Sequence, residues 1–396
     1  MMAELDLQGF FGRRSRITRS HLKAAHQAVA SVQPSLQDAG EQGLLPHLLI
    51  PDPAMIDAIA SDWRGRPLVI LGEPSAAAGA AALAAAQSPG QVLLLDSPDP
   101  VLVTAALAQP EAVLVILDGP AWVRWMARAL ASQFSLAVTF VGDGTEQVAW
   151  APDGVSLFSM PGSADPRFSG LCGAGLAMLS AAGGDVFACC EAIASTARRC
   201  FQEGLAENPG AMLAAVADAS AQQASLQGPH WSLPSARLGI YGRWLCGAWT
   251  AMACHITQHG ELKRPRGVAA AWSVVGDEPW MQVHSEGMIE RWTIALRDQR
   301  PDLDLRLGEQ MTAWRLSQEM ARAEHQALQR SGQGQVTMRV ARLDGPGLCE
   351  VATIWLHAAA LVGGLRGDDP LTMDAADRWR VVLEEDILPE GDWQTG

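Results

Sequence analysis

Short apolar runs alternate with longer helical patterns through the first half of the chain. Each run is bounded by turn residues and is short enough to be a strand that is buried on both faces. The predicted strands cover residues 68–71, 91–96, 112–118, 134–141 and 154–158. Helical patterns separate the first four strands, beginning with an alanine-rich stretch that ends near residue 86. The alternation predicts an α/β fold with a doubly wound parallel sheet.

The pattern resumes after a polar interval. Residues 221–236 are polar and contain two prolines, which predicts a linker. A helix near 235–249, an alternating strand at 336–340 and a small-residue helix at 358–365 predict a second α/β unit. We therefore divide the chain into a helical N-terminal extension (1–45), a first α/β domain (46–200), a second α/β domain (201–369) and a C-terminal extension (370–396).

Composition narrows the classes of function. A chain of 396 residues with 48% hydrophobic and 18% charged residues is compact and too long for one core, which favours two domains. The net charge of −14 disfavours general binding to nucleic acid or an anionic membrane, but it is compatible with a local pocket for phosphate. No membrane span or signal peptide is predicted. Seven cysteines without a C-x-x-C motif predict reduced thiols in a cytoplasmic protein.

One loop concentrates the candidate chemistry. A polar stretch with two prolines presents Arg167 and then gives way to a helix of small residues. Such a loop can aim a guanidinium at an anionic ligand where backbone approaches closely. The alternative is that Arg167 pairs with Asp165 at a loop corner.

The run Asp165-Pro-Arg-Phe-Ser-Gly-Leu-Cys-Gly-Ala-Gly-Leu176 resembles the Gly-Gly-Arg-Phe-Ser-x-Leu-Ser-x-Val-Gly-Leu signature of phosphoglucose isomerases. The first predicted strand leads into Gly72 to Gly79, which resembles the family's Gly-Ile-Gly-Gly-Ser-x-x-Gly loop. The resemblance extends over roughly residues 46–385. It implies two sugar isomerase (SIS-like) domains with the ligand between them at the strand carboxyl ends. It also implies a cytoplasmic homodimer and a sugar phosphate ligand, without cofactor or metal.

The family interconverts glucose 6-phosphate and fructose 6-phosphate through an enediolate, using a glutamate base, a ring-opening histidine and an arginine. By resemblance Arg167 is that arginine. Matching the family's loops assigns ligand contacts to Gly72, Ser75, Gly79 and Ser169, although Ser75 is one place away from the family's serine.

The chain departs from the family where the chemistry lies. The base glutamate aligns with Ala251, and the phosphate loop reads Ile116-Leu-Asp-Gly-Pro-Ala-Trp122. Asp118 in that loop would repel a phosphate, and Pro120 lacks a backbone donor. Glu278 or Pro279 stands at the histidine position, and His284 lies one helical turn later. We therefore expect weak or absent isomerase activity.

Two alternatives remain open. In the first, Glu278 or His284 acts as the base on a different sugar. In the second, the chain is a binding protein or scaffold, because tryptophans gather in the second unit, at positions 244, 249, 272, 280 and 292. For Trp244 and Trp249 a place in the core is the simpler interpretation.

Overall fold

The part of the chain that the structure describes forms two five-stranded sheets. The computed structural model describes residues 3–8, 10–11, 17–141, 155–163, 165, 167–204, 206–224, 228–253, 270–274, 291–298, 306, 312–331 and 335–365. The strands in these ranges are β1 (Glu4–Asp6), β2 (Leu68–Leu71), β3 (Val92–Leu95), β4 (Val113–Leu117), β5 (Leu136–Val141), β6 (Ser156–Ser159), β7 (Gly228–Leu233), β8 (Ala271–Val274), β9 (Arg291–Asp298) and β10 (Gln335–Val340).

The helices connect and cover these strands. Within the same described ranges they are, in chain order, α1 (Arg19–Glu41), α2 (Pro53–Ala60), α3 (Pro74–Gln87), α4 (Pro100–Leu107), α5 (Ala121–Leu130), α6 (Gly173–Ala181), α7 (Val186–Cys200), α8 (Pro209–Ala224), α9 (Gly239–Ala253), α10 (Ala313–Ser331) and α11 (Gly345–Leu365). Short 3-10 turns at Pro46–Leu48 and Ala236–Leu238 precede α2 and α9.

The first sheet has the order β3-β2-β4-β5-β6, and all of its pairings are parallel. Its side chains alternate between two cores: Leu68 and Ile70 belong to the larger one, whereas Val69 and Leu71 belong to a second one on the other face. Burial on both faces explains why these strands are continuous apolar runs. The predicted doubly wound parallel sheet is confirmed.

The second sheet has the order β1-β10-β9-β7-β8, in which only the β1–β10 pairing is antiparallel. Strand β7, which pairs with β9 and β8, lies inside the interval that was predicted as a linker, so that prediction was wrong. The polar residues of β7 are buried, and the Ser232 hydroxyl donates to a Glu324 carboxylate oxygen on α10 at 2.8 Å. A polar strand is stable in a core when its polar groups find such partners.

Helices of the two halves pack directly on each other. The alanine-rich α3 lies against both α6 and α9, and α11 lies against α7, α8 and α9. Among the described helices, α11 is long and apolar enough to cross a membrane by length and composition alone, but 83% of its apolar window is buried inside the protein. Burial of this kind is typical of a central core helix.

Candidate functional site

The first candidate site is the carboxyl edge of the first sheet. Gly72 follows β2 and Asp118 follows β4, the neighbouring strands between which the strand order reverses. In open α/β sheets, ligands bind in the crevice outside such a switch point. A Cβ at Gly72 would lie 3.2 Å from the Leu117 side chain, so glycine allows the two strand ends to stay close. Half-buried Ser75, in the first turn of α3, faces the crevice-side helix α9, with its Oγ 3.3 Å from where a Cβ at Gly247 would be.

The charges at this edge neutralise one another. The Asp118 carboxylate accepts hydrogen bonds from the Gly119 N–H (2.8 Å) and from Arg124 Nε (3.2 Å) in the first turn of α5. Asp96, directly after β3, forms an ion pair of 2.7 Å with Arg243, which α9 brings from the second half of the chain. Two guanidinium groups therefore reach the crevice, each already paired with a carboxylate. This is the edge at which the family resemblance places a phosphate loop.

Arg167 lies in the loop after β6 and is almost fully buried. Its side chain makes a bidentate contact with Asp165, from Nε to Oδ1 at 3.0 Å and from Nη2 to Oδ2 at 2.8 Å. The Arg167 backbone N–H also donates to Asp165 Oδ1 at 2.8 Å. The guanidinium carbon lies 5.0 Å from the centre of the Phe168 ring. Of the two interpretations of this loop, the pairing with Asp165 is what the structure shows.

Buried His47 lies near Arg167, and buried His357 lies near His47. His47, in the turn before α2, stacks on Phe168 with ring centres 5.1 Å apart. Among the described residues, neither nitrogen of the His47 ring has a hydrogen-bond partner. Burial, together with the nearby His357 and Arg167 side chains, lowers the pKa of His47 to about 3. Burial likewise lowers the pKa of His357 to about 4, and its ring packs edge-on against Phe201 at 4.8 Å. Both imidazoles are neutral at physiological pH.

Sequence reasoning missed these histidines. His47 precedes the first strand of the first sheet, and His357 lies in the middle of α11. No local pattern marks either residue, because only tertiary packing brings His47 near Arg167 and His357 near His47.

Gly79 and Ser169 lie beneath a tryptophan. The Ser169 hydroxyl donates to the Ala76 carbonyl at 3.0 Å, and a Cβ at Gly79 would lie 2.8 Å from the Trp244 ring and closer still to Ser169 Oγ. Gly170 approaches the far edge of the same indole, where a Cβ would be 2.6 Å from Cη2. In this arrangement Gly79 and Ser169 pack α3 against α9, and their role as ligand contacts stays a prediction. Trp244 and Trp249 are both buried, as the core interpretation expected.

The remaining catalytic predictions divide into two groups. Ala251 is in the last turn of α9, where a methyl group stands in place of the expected carboxylate. Glu278 and His284 lie outside the described residues.

A cavity of about 350 Å³ lies elsewhere, between α7 and the start of α11. Glu191, Asp344 and Glu350 line it together with Arg342, which pairs with Asp344 at 3.4 Å. Burial raises the pKa of Glu350. Three carboxyl groups against one guanidinium disfavour a phosphate in this cavity.

This chain was compared with known protein families, curated sequences and solved structures. No protein-family model matches the sequence, and no curated protein sequence matches it. Solved structures match over nearly the whole chain. A hypothetical protein from Thermus thermophilus superposes with a TM-score of 0.81 at 17% identity, covering 96% of this chain and 98% of the other.

A glucose-6-phosphate isomerase from Chlamydia trachomatis superposes with a TM-score of 0.76 at 13% identity, covering 95% of this chain and 88% of that one. At such identities the similarity establishes the fold alone, and the activity has to be argued from the residues of the site. The chain therefore has the two-sheet sugar isomerase fold that its motif around Arg167 implied.

Proposed function

We propose that this protein binds a sugar phosphate and that its aldose-ketose isomerase activity is weak or absent. The observation that carries the proposal is the bidentate contact between Arg167 and Asp165. An arginine that stabilises an enediolate must direct its donors at the substrate oxygen as charge develops there. Here a carboxylate of the same loop already accepts those donors.

The missing base supports the same conclusion. Isomerisation requires a group that removes a proton next to a carbonyl, and Ala251 has no ionisable atom. Loss of a positioned base forfeits roughly 10² to 10⁴-fold in rate. Binding does not depend on the base, so a ligand site can persist where turnover is lost.

The proposed ligand rests on the fold and on the crevice. A sugar isomerase fold brings two guanidinium groups, from Arg124 and Arg243, and the Ser75 hydroxyl to the carboxyl edge of the first sheet. Guanidinium and hydroxyl donors suit a phosphate monoester. The proposal includes a cytoplasmic location and a homodimer, for which the mass in solution, measured by light scattering, is the test.

A thermal shift series tests binding. Glucose 6-phosphate, fructose 6-phosphate and 6-phosphogluconate should be compared with glucose and with sodium chloride at equal ionic strength. We expect at least one sugar phosphate to raise the Tm by a few degrees at saturation. If none of the three shifts the Tm beyond the salt control, the ligand part of the proposal is wrong.

A coupled isomerase assay tests turnover. We expect a kcat at least about 100-fold below the ~10 s⁻¹ that is typical of enzymes. Ordinary turnover that Glu278→Gln or His284→Asn abolishes would instead support isomerisation by a replacement base. Of the tryptophans on which the scaffold alternative rests, Trp244 and Trp249 are buried and give it no support, whereas Trp272 is partly exposed and leaves it open.

A further inference from the structure

We infer that Asp165 is an internal counter-anion that occupies the oxyanion site of Arg167, and that this site accepts an external phosphate or carboxylate once Asp165 is removed. The inference deepens the proposed function, on which it rests for the ligand class. It assigns to Asp165 a role in specificity that the isomerase motif does not contain, because that motif has glycine at the corresponding position.

The first step is the convergence of donors. Three N–H groups of a single residue, the backbone N–H, Nε and Nη2 of Arg167, point at one carboxylate over 2.8–3.0 Å. A backbone amide combined with a guanidinium edge is a general way to hold a planar or tetrahedral oxyanion. The Asp165 carboxylate therefore occupies a nest whose chemistry would equally suit the oxygens of a phosphate or a carboxylic acid.

The second step is the direction of access. The Arg167 side chain retains 7% of its surface, whereas the Asp165 side chain retains 18%. The carboxylate is thus the more exposed partner of the pair, so we expect its removal to increase the exposure of the guanidinium. An external anion would reach the donors by the route that Asp165 now closes.

The third step is what holds the guanidinium in place without Asp165. The Phe168 ring lies 5.0 Å from the guanidinium carbon, and His47 stacks on the same ring. The aromatic contact stabilises a cation without supplying a negative charge. The Phe168 ring therefore helps to keep Arg167 in position, while the charge of the guanidinium favours an anion beside it, since burial of an uncompensated cation is strongly disfavoured.

The experiment compares Asp165→Gly and Asp165→Asn with the wild-type protein. Glycine restores the residue of the isomerase motif, and asparagine keeps the shape of the side chain while removing its charge. Inorganic phosphate and sulfate serve as probes, measured by calorimetry and thermal shift against sodium chloride at equal ionic strength. We expect both variants to bind phosphate at least tenfold more tightly than the wild-type protein does.

Second-site variants identify the donor. In Asp165→Gly with Arg167→Gln the gain should disappear, because glutamine has no charge to offer. Asp57→Asn, which breaks an ion pair with Arg64 elsewhere on the protein, is the matched control and should leave phosphate binding unchanged. A gain that survives Arg167→Gln, or no gain in either Asp165 variant, overturns the inference.

Unfolding of the variants is also informative. If Asp165→Gly is unfolded in chloride and folds in phosphate, the anion has replaced the carboxylate and the inference is supported. If neither variant folds in phosphate, the vacated nest does not accept an anion and the inference is wrong. The two proposals can fail independently. The proposed function is wrong if the wild-type protein does not bind sugar phosphates, whereas this inference is tested with inorganic anions on the Asp165 variants.

Discussion

The indole of Trp244 packs directly on the α-carbon of Gly79, and a methyl group at position 79 would lie 2.8 Å from both Cδ1 and Nε1 of the ring. This contact joins α3 of the first half to α9 of the second. We predict that Gly79→Ala lowers the free energy of unfolding by about 1–3 kcal/mol, because the overpacking outweighs the gain in helix propensity of about 1 kcal/mol.

Urea denaturation measures this effect. Gly364→Ala is the control, since it is also helical but its added Cβ would meet Val32 at an ordinary 3.7 Å. That control should be neutral or slightly stabilising. Equal effects of the two substitutions would contradict the proposed overpacking.

Arg237 bridges the two halves of the chain. Its Nη1 donates to the Ala86 carbonyl in the last turn of α3, and its Nη2 donates to the Leu343 carbonyl before α11, both at 2.7 Å. We expect Arg237→Ala to cost about 1–3 kcal/mol of stability, and Arg237→Lys to cost less, because an ammonium keeps the charge but cannot span both acceptors. Arg322→Ala removes only an exposed pair with Glu319 and should cost under about 1 kcal/mol. A loss of stability at Arg237 no larger than at Arg322 would refute the bridge.

Removing the charge of Asp118 should favour anion binding at the first sheet. Asp118→Asn leaves the Arg124 guanidinium without its carboxylate and removes the repulsion of a phosphate. We predict a gain of about 1 kcal/mol, or roughly fivefold in affinity for inorganic phosphate at low salt, because both side chains are partly exposed to solvent. Calorimetry at two salt concentrations checks this, with Glu319→Gln as the control. A gain that does not weaken at high salt would argue against an electrostatic cause.

Stability should fall on acidification because His47 and His357 are buried in the neutral form. Their folded-state pKa values, about 3 and about 4, lie below the ordinary value of 6.5, so the unfolded chain binds more protons at intermediate pH. The stabilisation is complete above pH 6.5 and is lost as the pH falls toward 3–4. At pH 4.5 we expect each histidine to lower the free energy of unfolding by about 2.5 kcal/mol relative to its value above pH 6.5.

Urea denaturation at pH 7.5, 6 and 4.5 tests this dependence, with His47→Phe to remove one titrating group. The free energy of unfolding of the variant should fall less between pH 7.5 and pH 4.5 than that of the wild-type protein. This holds whatever the stability of the variant at pH 7.5. Parallel curves would show that His47 does not titrate on unfolding.

The sequence predicted the first sheet well because its strands are buried on both faces and read as pure apolar runs. Helix α8 begins directly after Asn208, whose side chain accepts from the Ala211 N–H at 2.8 Å, as an N-cap does. The second sheet was harder. Its strands β7 and β9 carry buried polar groups that are satisfied by distant partners, such as Arg297 and Glu324 at 3.2 Å.

The candidate site also has a part that the sequence predicted and a part that it did not. The position of Arg167 after a strand followed from a local motif, and its pairing with Asp165 was one of two local alternatives. Its neighbour His47, and His357 near that histidine, could not be inferred, because hydrophobic periodicity does not report which distant loop and helix meet.

The pairing of β1 with β10 ties the first described residues to the far end of the chain, with Glu4 opposite Arg339. During synthesis, β1 must therefore wait until the much later β10 has emerged before it can take its place at the edge of the second sheet. The apolar face of α1 likewise lacks α11, which follows β10 in the chain. A nascent chain of this protein is thus exposed to aggregation and to chaperone binding for longer than one whose domains close in order.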